Sequence, residues 1–384
     1  MTAVDLAPNH KTGLTLANPV MPAAGCFGFG TEYARLVEVE ALGAVVVGPL
    51  TARPRQGAQP PRILTLPPSQ EEQPLFHPPS QGRQPLPHPP SQEEQPPLHP
   101  SPQGRQPFLH PPSQGGQPLF PPPLTGKATP PPPSLTGRAA SLPPPSQGGQ
   151  PLFPPPSQGG QPLFSPPSQG GQGGVLLHTG LANPGIAAAV RRYARTWARS
   201  PVPVIVHVAG TSPDEVASCC QHLFDVEAVA AIELGLPDAA DADDAVAIVQ
   251  AARTVAGQPL IVRLPLAWAD ALCEAAVEAG ADALTVAAPP RGSVWHAPGG
   301  RFVTGRLYGP FVLPLALCAL RRVAELVPVP LIGCGGIHSV EDGLAFLRAG
   351  ATAIQVDGAL WRNPAGLARI AQQLATCDLP PRVV

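Results

Sequence analysis

Three stretches of this 384-residue chain put glycines where backbone N–H groups could meet an anion. The first is Gly25-Cys26-Phe27-Gly28-Phe29-Gly30. The second is Gly333-Cys334-Gly335-Gly336-Ile337, with Ser339 just beyond it at a helix start. The third is Asp357-Gly358-Ala359. A residue without Cβ lets peptide N–H groups approach a phosphate, and the N-terminus of a following helix adds a favourable dipole. The first stretch is only formally like GxGxxG, because its opening spacing is wrong for a dinucleotide fingerprint. The second and third together could hold a phosphate group. The competing reading is that these glycines serve turns alone. Asp357 is discordant with a phosphate, since a neighbouring carboxylate repels it unless turned away.

Other groups with chemical potential are scattered. The seven cysteines are Cys26, Cys219, Cys220, Cys273, Cys318, Cys334 and Cys377. None forms a CxxC pair or stands at metal-ligand spacing from a histidine, so reduced thiols and no metal are expected. His178, His207 and Asp238 lie next to apolar runs. A lone histidine on such a run is more often a packed core residue, and a turn carboxylate is more often solvated than catalytic.

These groups need a scaffold. Short apolar runs at 19–23, 44–47, 204–208, 229–234, 260–264, 283–287, 330–333 and 353–356 read as strands buried on both faces. Helical patterns at 32–42, 186–199, 213–224, 241–256, 268–279, 310–327, 340–349 and 364–375 alternate with them. Ser212 and Asn363 suit N-caps before Pro213 and Pro364, and Gly280 and Gly350 suit C-caps. The alternation points to a (β/α)8 TIM barrel, with a doubly wound open sheet as the alternative. In a barrel, the glycine stretches follow strands 1, 7 and 8 at the face where barrels place their sites, and loops 7 and 8 commonly carry phosphate.

More than half of the 58 prolines fall between Pro67 and Gln172. There a unit close to PPSQGGQPLF recurs from Pro111, Pro144, Pro155 and Pro166, with degraded copies such as PPSQEEQPLF from Pro67. The unit has neither strand nor helix periodicity and too little apolar surface to offset its ordering entropy. Residues 67–172 are therefore expected to be a disordered Pro/Gln/Gly-rich insertion, and 1–66 with 173–384 to form one barrel domain. The net charge of −2, without basic blocks, argues against nucleic-acid or membrane-surface partners. No apolar run reaches the ~18 residues of a membrane span. The first residues lack the pattern of a secretion signal, so a cytoplasmic protein is expected.

The segment Asn18-Pro19-Val20-Met21-Pro22-Ala23-Ala24-Gly25-Cys26-Phe27-Gly28-Phe29-Gly30-Thr31-Glu32-Tyr33 resembles the N-terminal signature of class 1 dihydroorotate dehydrogenases. Further collinear matches are Arg53-Pro54-Arg55-Gln56-Gly57, Pro61-Arg62, Gly180-Leu181-Ala182-Asn183-Pro184-Gly185, Val208-Ala209-Gly210, Ile232-Glu233-Leu234, Gly280-Ala281-Asp282 and Ile332-Gly333-Cys334-Gly335-Gly336-Ile337. The likeness covers the chain apart from the insertion. It is greatest to the branch whose catalytic chain pairs with an iron–sulfur/FAD electron-transfer subunit. It implies a barrel that binds FMN across the strand ends, oxidises dihydroorotate in pyrimidine synthesis, and forms a homodimer with that subunit attached. The matching positions for the cofactor are Ala24, Gly25, Thr51, Arg263, Gly309, Gly335, Gly336 and Gly358.

The chain departs from the family pattern where substrate is held. The family's base is a cysteine in a loop after strand 4; here that loop reads Gly235-Leu236-Pro237-Asp238, shorter and without cysteine. A lysine after strand 2 is replaced by Gly48, and an asparagine before Gly180 by Leu177. Another asparagine is lost in Ala287-Ala288-Pro289-Pro290. The strand 5 lysine is Arg263, and a serine beside the flavin is Ala24. Asp238 and His178 remain as weak candidates for acid–base work. Two outcomes stand open: an FMN oxidoreductase of this family, or a non-catalytic or re-purposed barrel that serves binding or assembly. A flavin-free lyase or isomerase is a third, for which no strand-end lysine is present.

Overall fold

The computed structural model describes residues 3–33, 35–66 and 173–377. The expected disorder of 67–172 therefore concerns residues outside those described. The eight strands expected for a barrel are present: β1 (Val20–Pro22), β2 (Val45–Leu50), β3 (Val204–Val208), β4 (Ala231–Gly235), β5 (Leu260–Pro265), β6 (Ala283–Ala288), β7 (Leu331–Cys334) and β8 (Ala353–Val356). They form one parallel sheet in the order β1-β8-β7-β6-β5-β4-β3-β2. The two end strands meet, and Gly43 N–H donates to Val20 O at 2.8 Å across the seam. An open doubly wound sheet is thereby excluded; the fold is a (β/α)8 barrel.

Helices α1 (Ile186–Trp197), α2 (Pro213–Leu223), α3 (Ala242–Val255), α4 (Ala269–Glu278), α5 (Leu313–Leu326), α6 (Val340–Arg348), α7 (Ala359–Arg362) and α8 (Pro364–Thr376) accompany the strands. Their ends follow the sequence signals. Ser212 Oγ accepts from Glu215 N–H, and Asn363 Oδ1 from Gly366 N–H. Gly280 and Gly350 each follow a helix at φ +111°. The next residue in each case bonds back five positions along the chain to close the turn (Ala281 N–H to Ala276 O, Ala351 N–H to Phe346 O).

One expected helix is absent. Among the described residues of 32–42 there is a single 3-10 turn, Val39–Ala41, and no α-helix. Tertiary contacts override the local pattern. Glu32 turns back to accept the N–H groups of Phe29 and Thr31 at 2.9 and 3.1 Å. Phe29 stacks on Tyr193 of α1, and Trp197 Nε1 donates to Phe29 O. The segment thus buries its aromatics through α1 rather than through a helix of its own.

A second sheet was not expected. The strands Arg291–His296, Arg301–Tyr308, Gly174–Leu177 and Ile63–Leu66 pair antiparallel in that order. Leu66 and Gly174 are register partners. The chain therefore leaves for the repeat segment and returns from it at adjacent positions of one ribbon. Shortening the connection from about 106 residues to about 4 lowers the closure cost by about 3 kcal/mol at most, in favour of the shorter loop. Replacing 67–172 by a short turn is expected to keep the helical circular dichroism signal per molecule and to leave the melting temperature unchanged or raised by up to roughly 10 °C. Loss of soluble protein on that replacement would contradict this account.

The barrel interior is layered. Val46, Ile205, Ala231, Ile261, Ala283, Ile332 and Ala353 fill its lower layer together with Leu6, Leu14 and Leu16 from the N-terminal segment. Two residues further along each strand the side chain again points inward. At β3, β4, β5, β6 and β8 those positions hold His207, Glu233, Arg263, Thr285 and Gln355, all buried.

Candidate functional site

The polar layer converges on Glu233. Its Oε1 accepts from Thr285 Oγ1 and from Gln355 Nε2, each at 2.7 Å. Its Oε2 lies 2.8 Å from His207 Nδ1 and 3.6 Å from an Arg263 nitrogen. Arg263 also donates to Gln355 Oε1 at 2.5 Å and to Cys334 Sγ at 3.1 Å. Burial alone would raise the Glu233 pKa. The Arg263 charge, with the hydrogen bonds from His207 and Thr285, outweighs it and holds the carboxyl at about 2. Glu233 is thus an anion, its acceptor positions are satisfied, and His207 presents Nδ1–H to it.

Above this layer, at the C-terminal ends of β1 to β6, is a cavity of about 360 Å³. That is near the lower end of the ~300–1,000 Å³ usual for small-ligand sites. Ala24, Gly25, His207, Asp238, Arg263 and Tyr308 are among its lining residues. His207 enters it through space that Gly235 leaves open: a Cβ at 235 would stand 2.9 Å from Cε1 and 3.0 Å from Nε2 of the imidazole. Asp238 is not a free base. Arg306 donates to its Oδ1 at 2.6 Å and Arg291 to its Oδ2 at 3.5 Å, so the shortened loop is tied to the second sheet. Arg55 also lines the cavity, and no described residue accepts a hydrogen bond from its side chain. Four arginines therefore line the cavity together with the carboxylate of Asp238, while Glu233 lies buried in the layer beneath.

The other positions singled out in the sequence lie elsewhere. His178 is half-buried beside the cavity, with Nδ1 2.7 Å from Thr304 O. Thr51 is buried and pairs with Asn183, whose Nδ2 donates to Thr51 Oγ1 at 3.0 Å; together they brace the loop that leads to α1. Gly309, Gly335, Gly336 and Gly358 do not line the cavity. Neither do Cys26 and Cys334. Both thiols are buried, and burial raises their pKa, for Cys334 to about 12. Sequence reasoning missed Glu233 as a hub, Thr285, Gln355, Arg291 and Tyr308. The available signal for the first three was a polar residue two places after an apolar one in successive strands. Nothing local marks Arg291 or Tyr308.

The family model described as dihydroorotate dehydrogenase matches residues 8–70 and 165–377. Among curated proteins, the chain is 27% identical to "Dihydroorotate dehydrogenase B (NAD(+)), catalytic subunit" of Pelobacter propionicus, over 94% of this chain and 90% of that one. The protein of the same name from Desulforudis audaxviator is 28% identical over 97% and 91%. That from Geobacillus kaustophilus is 25% identical over 92% and 84%. These relatives are named as catalytic subunits, hence as parts of larger assemblies. Among the described residues, no helix is long and apolar enough to cross a membrane.

Proposed function

The chain belongs to the dihydroorotate dehydrogenase family, and from that membership we propose that it is a re-purposed member, whose strand-end cavity binds a small carboxylate-bearing ligand without oxidising dihydroorotate through FMN. The observation that carries this reading is the charge of the cavity wall. Arg55, Arg263, Arg291 and Arg306 outnumber the two carboxylates, and an anion of modest size is the ligand such a wall favours. Arg291 and Arg306 are held in place by Asp238, so their remaining N–H donors are pre-positioned. His207 offers Nε2 as a proton acceptor or donor at the cavity wall, with Glu233 fixing the ring.

Membership of the family implies flavin chemistry, and the resemblance assigns FMN with its phosphate at the rims of β7 and β8. The donors there do not fit that group. Gly336 N–H and Gly358 N–H are directed at the carboxylate of Asp357. No step is therefore routed through a flavin. The family's oxidation also needs a base over the substrate, and no thiol lines the cavity among the described residues.

Binding of simple carboxylates, orotate and dihydroorotate, followed by calorimetry, tests the reading. Arg291→Gln and Arg306→Gln are each expected to weaken binding about tenfold or more, since a charged hydrogen bond contributes ~1.5–3 kcal/mol. Failure of every carboxylate to bind at millimolar concentration would sink it. A second reading has the family match itself in its favour: an FMN-dependent dihydroorotate dehydrogenase, working as a homodimer with an iron–sulfur/FAD subunit. Under that reading the purified protein is yellow and dihydroorotate bleaches it anaerobically. The first reading expects neither.

A further inference from the structure

Asp357 follows β8 directly and is buried to 1% exposure. Its Oδ1 accepts the Gly358 N–H at 2.6 Å, and its Oδ2 accepts the Gly336 N–H at 3.4 Å. Burial raises its pKa, and the His338 charge, the two backbone N–H groups and the Arg263 charge act against that rise. His338 is itself fixed, with Nδ1 2.9 Å from Gly336 O. A buried carboxylate needs such donors. They are the same backbone groups, on the same two loops, that a phosphate would use.

The space between this cradle and the cavity is also filled. Tyr308 is buried, lines the cavity with one side, and meets Trp361 of α7 edge-on at 4.8 Å between ring centroids. A Cβ at Gly358 would stand 3.1 Å from the Cβ of Tyr308. The glycines have packing reasons of their own. A Cβ at Gly336 (φ +72°) would lie 2.6 Å from the Leu313 nitrogen and 2.9 Å from Gly309 O, and one at Gly335 2.9 Å from Ala316 Cβ. They admit the start of α5 against β7, and need no anion to account for them.

We infer that the Asp357 carboxyl group is a built-in occupant of the cradle at the rims of β7 and β8, so that the folded chain accepts no phosphate-tailed cofactor there. The tethered carboxylate is always at hand, whereas a phosphate would have to expel it or sit against its charge. The inference concerns a different place from the carboxylate site at the cavity, and the two can fail separately.

The test compares the full chain with Asp357→Gly, using FMN and inorganic phosphate as probes. Melting temperature is followed against phosphate, with chloride at equal ionic strength as the control, and flavin uptake by visible absorption. The wild type is expected to purify colourless, take up no FMN after incubation and gel filtration, and melt independently of phosphate. Asp357→Gly is expected to melt lower without phosphate and to rise with phosphate in a saturable way, as binding to the folded state alone requires. Uptake of FMN by the wild type at one per chain overturns the inference. So does a glycine variant that folds yet shows no phosphate response. An equal response in both proteins also overturns it; if Arg306→Gln removes that response, the cavity site still stands. Should Asp357→Gly fail to fold, Asp357→Asn, which removes the charge and keeps the shape, carries the same phosphate comparison.

Discussion

Replacing Glu233 by alanine is expected to cost about 3–5 kcal/mol of stability, the usual result of leaving a buried charge without its partner. For a barrel of this size that is a fall in melting temperature of roughly 10 °C. The reason is the number of groups that lose their counterpart at once: Arg263, His207, Thr285 and Gln355 all address this carboxylate. Arg263 is nearly fully buried and has no water to turn to. Glu233→Gln keeps the shape but not the charge, and should fall between the two. The pH dependence has a definite sign. The folded-state pKa is lowered from 4.5 to about 2, so the stabilisation is complete above pH ~4.5 and is lost as the pH falls toward 2. The stability gap between wild type and Glu233→Ala, from urea unfolding, should therefore narrow across that window. A gap that is small at pH 7, or constant down to pH 3, would contradict the geometry.

Gly43→Ala is expected to do at least as much damage by a different route. A Cβ at this position would stand 1.7 Å from Asn18 O. Overpacking usually costs ~1–3 kcal/mol because side chains can shift. Here the obstacle is a carbonyl that cannot. Asn18 is anchored through Nδ2 to Ala371 O and through Oδ1 to Val20 N–H, each at 2.9 Å. The Gly43 N–H closes the seam between β1 and β2, so the strain falls on ring closure itself. A loss above ~3 kcal/mol, seen as insoluble expression or a collapsed melting transition, is expected. Gly300→Ala is the control. Unlike Gly43 it has a left-handed backbone, at φ +57°, and nothing stands within 4 Å of its Cβ. Its cost should be about 1 kcal/mol. Equal behaviour of the two variants would mean that the seam contact does not set the cost at Gly43.

The residues show how far each kind of signal carries. The caps at Ser212 and Asn363 and the glycines at 280 and 350 were legible because a cap is made within a few residues of itself. The helix expected at 32–42 was misread because its pattern is local but its outcome is not. Glu32 found a better use in holding the preceding loop, and the aromatics found α1. The second sheet escaped notice because it joins a hairpin at 291–308 to strands at 63–66 and 174–177 that are far away in the chain, and because it is only half-buried. Asp238 looked like a solvated turn carboxylate with a weak claim to catalysis. Its pairing with Arg291 and Arg306 spans 53 and 68 residues, which no spacing rule anticipates.

What the sequence determined by itself was the ring of eight strands and the family, since strand periodicity and collinear motifs are properties of neighbours along the chain. It also carried the polar layer in plain form, as His207, Glu233, Arg263, Thr285 and Gln355 set into apolar runs. Tertiary structure alone decided that these five share one carboxylate, because closing the ring is what points them at a common axis. It alone decided that Asp357 turns inward to the backbone donors beside it. A carboxylate next to a glycine-rich rim can face the anion site or avoid it, and that choice rests on a side-chain torsion and on the burial around it.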